Sequence, residues 1–150
     1  MTDDISKFES DRQRRLIWHG MFLFLLGLLV GLLENHVVNP RMGLAAHLEG
    51  LMNGTFLIAA GVAWPFVGLT RRLAILTFWT LLYGTYANLV TTTFAAIIGA
   101  SSLSPITGTG HSASAMQEAL VTCGFITVGI AMLVSTVLIL WGLRRRWGKR

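Results

Sequence analysis

Four stretches long and apolar enough to cross a lipid bilayer fill nearly the whole chain, and they constrain its fold more than any single motif does. A transmembrane helix needs roughly 20 mostly apolar residues, and such runs are read at 16–33, 42–69, 73–100 and 115–143 of the 150 residues. Residues 1–150 are therefore expected to form a single membrane domain, with almost nothing left for a soluble one. Charge supports this. Only 13% of the residues are charged, where soluble domains carry about 25%, and the mean hydropathy is +0.63. The predicted fold class is all-α and integral to the membrane, a four-transmembrane-helix bundle.

The basic residues set the orientation. Arg12, Arg14, Arg15, Arg71, Arg72, Arg144, Arg145, Arg146, Lys149 and Arg150 all fall on one side if four helices alternate. The other side has Arg41 alone and the loop 101–114, uncharged apart from His111. By the positive-inside rule both termini are expected in the cytoplasm, with the chain in a bacterial inner membrane. Topology thus accounts for the basic C-terminus, and no nucleic-acid partner is expected. Trp18 and Trp141 fit an interfacial aromatic belt. The first apolar run is too long for a signal core, and Glu34-Asn35-His36 follows it in place of a small-residue cleavage site, so it reads as a retained helix. Cys123, the one cysteine, permits neither an internal disulfide nor a cysteine-based metal cage.

The joints are legible too. Asn39-Pro40 signals a turn before the second helix, and Pro65 is placed to kink that helix near its end. The Thr70-Arg71-Arg72 joint is short, so helices two and three are adjacent and antiparallel. The loop 101–114 is rich in Ser, Gly and Thr; the sequence leaves open whether it wanders or folds over the bundle as a lid.

Within the second run, the segment from Met42 to Gly54 carries His47, Glu49 and Asn53. Ionisable groups at membrane depth are costly and usually face a bundle interior, a cavity or a cofactor. Gly50 and Gly54 follow His47 on the same helical face, which leaves bare backbone beside the imidazole, wide enough for a flat macrocycle. Helix packing of the small-xxx-small kind competes with that reading, and for Gly27 and Gly31 it is favoured. Depth gives a second clue. Counted from the non-cytoplasmic side, His47 lies roughly 8 Å in, Glu49 about 10 Å, Thr92 about 12 Å, Asn53 about 16 Å and Asn88 about 18 Å. Independent helices thus converge on one level. Thr85, Asn88, Thr91 and Thr92 share a helical stripe, for which interhelical hydrogen bonding is the plainer account. Glu49 and Asn53 lie on a different face from His47, so one ligand need not touch all three. His19 is roughly 20 Å from His47 in depth, too far to clamp one iron within a protomer. His36 and His111 read as solvated loop residues. No second ligand stands at i+4 from His47, which argues against compact zinc; a single axial imidazole on a haem needs no other protein ligand.

Asn39-Pro40-Arg41-Met42-Gly43-Leu44, followed by Ala46-His47-Leu48-Glu49-Gly50-Leu51-Met52-Asn53-Gly54, resembles the hydroxylaminobenzene mutases. The segment from His47 to Gly54 is also similar to the related one of styrene oxide isomerase, and His19-Gly20 and Ala87-Asn88 match the same pattern. The resemblance implies a haem b enzyme assembled as a homotrimer, with His47 ligating ferric iron that acts as a Lewis acid. Asn53 would contact a small aromatic substrate, with Asn88 and Thr92 beside it. Arg41 is assigned to a haem propionate, or else to the interface as an anchor. Where the epoxide isomerase has a tyrosine, this chain has Thr92, which favours the mutase branch; Tyr83 and Tyr86 are nearby phenols at a different spacing. The expected reaction is rearrangement of an N-arylhydroxylamine to a 2-aminophenol. The rivals are an epoxide isomerase, a haem b electron-transfer subunit, and a proton-coupled transporter using Glu49 or Glu118.

Overall fold

The computed structural model describes residues 2–147, with side chains over 10–144. Lys149 and Arg150 of the basic C-terminus lie outside the described residues. Four long helices follow one another: α1 (Thr2–Leu33), α2 (Pro40–Ala63), α3 (Arg71–Ile98) and α4 (Ala115–Trp147), with 3-10 turns at Glu34–His36 and Trp64–Phe66. No strand occurs among the described residues.

Boundaries differ from expectation at several places, among them the end of α4, at 147 in place of 143, and three of the differences have a physical reason. First, α1 starts at Thr2, well before the apolar run. Hydropathy marks a membrane-length segment, whereas helical hydrogen bonds continue into the polar stretch ahead of it. That stretch contains no proline or glycine, and an i,i+4 pair, Asp11 with Arg15 at 3.2 Å, supports it. Second, α2 does not run kinked to residue 69; it stops at Ala63. Pro65 has no N–H with which to continue the helical ladder, and the Trp64 N–H turns to the Gly61 carbonyl three residues back while Trp64 itself stays helical at φ −51°, ψ −42°. The chain tightens instead into the Trp64–Phe66 turn, closed by Val67 N–H to the Trp64 carbonyl at 3.0 Å. Third, α3 ends at Ile98 because Gly99 adopts φ +74°, the left-handed C-cap that glycine takes without strain. The start of α2 is firm: Pro40 fills its first position and the Asn39 side chain accepts from Met42 N–H at 3.2 Å.

Helices α1 and α2 pack closely through glycines. A Cβ placed on Gly54 would stand 2.7 Å from the Gly20 carbonyl oxygen, and one on Gly50 would overlap the Gly27 Cα. α3 lies against α2, and α4 lies along α3. Among the described residues the α4 backbone approaches neither α1 nor α2, so the arrangement is open rather than a closed four-helix bundle. One core, with Leu16, Leu23, Leu57, Trp64, Phe78 and Leu81, fills the end near the α2–α3 joint. A smaller one, with Met42, Ala95, Ala96 and Val121, fills the other. Large apolar side chains point outward in rows, among them Leu25, Leu28 and Leu32 of α1 and Ile130, Leu133 and Leu140 of α4. Such faces suit lipid.

Three segments are long and apolar enough to cross a membrane: Ser10–His36, Arg71–Ile98 and Ala115–Arg144. α2 is not among them, because Arg41, His47, Glu49 and Asn53 lower its apolarity.

The glycine seam yields a stability prediction. Gly50→Ala forces the α1 and α2 backbones apart and is expected to destabilise the protein by about 1–3 kcal/mol, the usual cost of overpacking. Gly129→Ala, where an added Cβ meets nothing within 4 Å, is the matched control. Thermal unfolding in detergent compares them; equal midpoints would refute the close approach.

Candidate active site

His47 is held by α1. Its Nδ1 lies 2.8 Å from the Gly27 carbonyl oxygen, and its ring rests on Gly31, where any side chain would strike Nδ1 and Cε1. A carbonyl only accepts, so Nδ1 carries the proton and the lone pair resides on Nε2. Nε2 has no hydrogen-bond partner among the described residues, and the residue is half-buried. This is how a metal-binding imidazole is prepared: one nitrogen tied to a carbonyl, the other left to ligate. No group of three or more His, Cys, Asp or Glu among the described residues could hold a metal ion. A group needing a single axial imidazole therefore fits the donors present.

The glycines play another part than the one expected of them. The face carrying Gly50 and Gly54 is not bare backbone; Gly20, Gly27 and Phe24 of α1 cover it. A macrocycle cannot lie there in this protomer. Close helix packing, expected for Gly27 and Gly31, extends to Gly50 and Gly54 as well, and Gly31 has the added role of seating the imidazole.

The other polar residues of α2 face α3. Thr92, 1% exposed, donates its hydroxyl proton to Glu49 Oε2. That bond fixes the register of two antiparallel helices, so one turn further along α2 and one turn back along α3, Asn53 stands level with Asn88. Asn88 is half-buried. Asn53 Nδ2 is buried and lacks a hydrogen-bond partner. An unpaired buried donor is costly and in native structures calls for an explanation; a ligand supplies one. The structure thus brings Glu49 and Thr92 together, with Asn53 and Asn88 one turn away on the same two helices, and sets His47 apart on the α1 side of α2. Arg41 is exposed at the start of α2.

Neither tyrosine reaches this group as a free phenol. Tyr83 O–H is 2.8 Å from Thr127 Oγ1 of α4, and Tyr86 O–H is 3.0 Å from His19 Nδ1 of α1. The His19–Tyr86 pair joins helices far apart in sequence, and no spacing rule could have found it. Gly31, beside His47, lies about 18 Å of helix rise from His19, so the two histidines share no ligand in one protomer.

The loop 101–114 is folded down over the end of the helices. Glu118 accepts backbone N–H groups from Ser101, Ser102 and Ala113 at 3.0–3.2 Å, and the fully buried Asn39 donates to the Thr107 carbonyl at 2.9 Å. His111, expected to be solvated, lies with Nε2 3.0 Å from the Val38 carbonyl. Glu118 is thereby a loop anchor.

The family model described as styrene oxide isomerase matches residues 12–144. The chain belongs to this family. Among characterised proteins it is similar to hydroxylaminobenzene mutase HabB of Ectopseudomonas oleovorans, 44% identical across all of this chain and 92% of that protein. Hydroxylaminobenzene mutase HabA of the same organism is 42% identical over 89% of this chain and 99% of its own length. No solved structure matches. The family member described here is an isomerase; within the segment from His47 to Gly54 that resembles the mutases, α1 covers His47, Gly50 and Gly54 and α3 meets Glu49.

Proposed function

We propose that this isomerase is a haem b mutase that rearranges N-arylhydroxylamines, such as hydroxylaminobenzene, to 2-aminophenols. Two full-length relatives named for that activity support the reading, as does the absence of a phenol at position 92. The observation that carries it is the buried, unpartnered Asn53 Nδ2, a donor awaiting an oxygen.

His47 Nε2 would hold the haem, and the haem would supply a ferric Lewis acid that weakens the N–O bond. The chain's own residues do the rest. Asn53, with Asn88 level with it, donates to the substrate oxygen and keeps it near the ring while it passes from nitrogen to the ortho carbon. Thr92 fixes Glu49 beside them. The apolar helices around the site take an aromatic ring from lipid and keep water away. Because His47 and the Glu49–Asn53 edge face opposite sides of α2, a second copy completes the pocket in the expected homotrimer. α2 counts as the fourth span, its polar residues turned inward in the assembly, with both termini cytoplasmic in a bacterial inner membrane.

The test is anaerobic conversion of N-phenylhydroxylamine to 2-aminophenol with no reductant added, in water enriched with heavy oxygen. Substrate and product are isomers, so the product is expected to keep the substrate's oxygen. Solvent oxygen in the product would rule out a held rearrangement.

Arg41 gives a separate check. Guanidinium binds carboxylate in bidentate fashion, and we assign Arg41 to a haem propionate. Arg41→Gln is expected to lose haem more readily as salt is raised, followed by the Soret band after gel filtration. Unchanged retention would make Arg41 an interfacial anchor.

A further inference from the structure

The Glu49 carboxylate is half-buried between apolar helices with one partner, the Thr92 hydroxyl on Oε2. Oε1 accepts no hydrogen bond among the described residues, and no cation stands within ion-pair distance of it. One turn further along the same edge of α2, Asn53 Nδ2 is a buried donor with nothing to donate to. The two Cβ positions of an i,i+4 pair lie about 5–6 Å apart. The edge therefore presents an unused acceptor and an unused donor, one helical turn apart.

A ligand that satisfies both must carry a hydrogen-bond donor and an acceptor close together. The H–N–O unit of an arylhydroxylamine does so: its N–H answers Glu49 and its oxygen answers Asn53. An epoxide offers an acceptor only and would leave Oε1 unpaired. A site built to bond a substrate N–H rejects the analogue lacking it far more strongly than an apolar pocket rejects a missing methylene, because the site's own polar group is then stranded.

We infer that Glu49 is the specificity-determining acceptor for the substrate N–H, with Thr92 as its positioning residue, so that this pair selects hydroxylamines over epoxides. The inference rests on the mutase reading and deepens it. It also gives Thr92 a function: its hydroxyl holds the carboxylate through Oε2 and leaves Oε1 unbonded.

Two substrates and two ligands test it in the full-length protein in lipid nanodiscs. The substrates are N-phenylhydroxylamine and N-methyl-N-phenylhydroxylamine, which lacks the N–H; the ligands are aniline and toluene, of nearly equal shape and unreactive. In the wild type the kcat/KM ratio of the two substrates is expected to favour the N–H compound by about 10²-fold or more. In Glu49→Leu the ratio should collapse to within a few-fold, and in Glu49→Gln, which keeps a neutral acceptor, it should fall between. Thr92→Val should lower the ratio and Thr92→Ser preserve it, whereas a carboxylate that only ties α2 to α3 would depress both substrates alike. Equilibrium binding should show the same pattern as a loss of the aniline-over-toluene preference; lipid partitioning cancels because the same ligands are compared across variants.

A ratio unchanged from wild type in assembled Glu49→Leu and Glu49→Gln proteins overturns the inference and leaves the mutase reading intact. Failure of the wild type to form 2-aminophenol overturns that reading instead, and the aniline and toluene measurements then still decide whether Glu49 accepts an N–H.

Discussion

His47→Ala is expected to purify without a Soret band and without mutase activity, while eluting at the wild-type oligomeric size. The imidazole is the proposed ligand: its Nδ1–H is fixed on the Gly27 carbonyl, its ring is seated on Gly31, and Nε2 has no hydrogen-bond partner among the described residues. Removing it would delete the proposed ligand and leave the glycine seam, which consists of backbone, in place. Alanine loses one hydrogen bond, worth about 1 kcal/mol, too little to unfold the protein. Absorbance, size-exclusion profile and turnover are read on the same sample. Haem retained at wild-type stoichiometry would show that another residue ligates it. A lost oligomer would show that His47 holds the fold as well. Gly31→Leu offers a second approach, since it displaces the ring and leaves the ligand in the chain; it too should lose haem.

Asn53→Ala should do the reverse, keeping the haem spectrum and cutting kcat by about 10²-fold or more, as expected for loss of positioning at a reacting atom. The carboxamide Nδ2 is buried with no protein partner, so its removal breaks no internal hydrogen bond and relieves an unpaired donor. Stability should hold or rise slightly as activity falls. That opposition identifies a group kept for its ligand; a structural asparagine would lose both together. Steady-state kinetics beside thermal unfolding is the measurement, and a variant of full activity would remove Asn53 from the site. Asn88→Ala, one helix away at the same level, is expected to show a smaller loss of the same kind.

The reasons that some features were legible in the sequence and others were not are physical. Hydropathy is a local sum, so four long helices and their order could be read directly, three of them long and apolar enough to cross a membrane, and so could the costly polar segment from His47 to Asn53. Caps and breakers are local as well: Asn39-Pro40 opens α2 where it was expected to. Pro65 acts through its own missing N–H, yet whether a proline kinks a helix or ends it depends on what receives the chain afterwards. Here Gly68 N–H bonds the Gly142 carbonyl of α4 at 3.1 Å, and the helix ends. Which face of a helix meets which neighbour is not local. Gly50 and Gly54 present the same bare backbone to a macrocycle or to another helix, and only the approach of α1 decided in favour of the helix. The same approach fixed the tautomer of His47. Glu49 and Thr92, and His19 and Tyr86, are pairs made by helix register, a quantity set by the fit of whole surfaces. Residue types and spacing along one helix were therefore determined by the sequence alone. The choice of partners across helices, and with it the separation of the imidazole from the carboxylate and carboxamide edge, was decided by tertiary packing, because close-packed helices admit few registers and each register pairs every side chain at once.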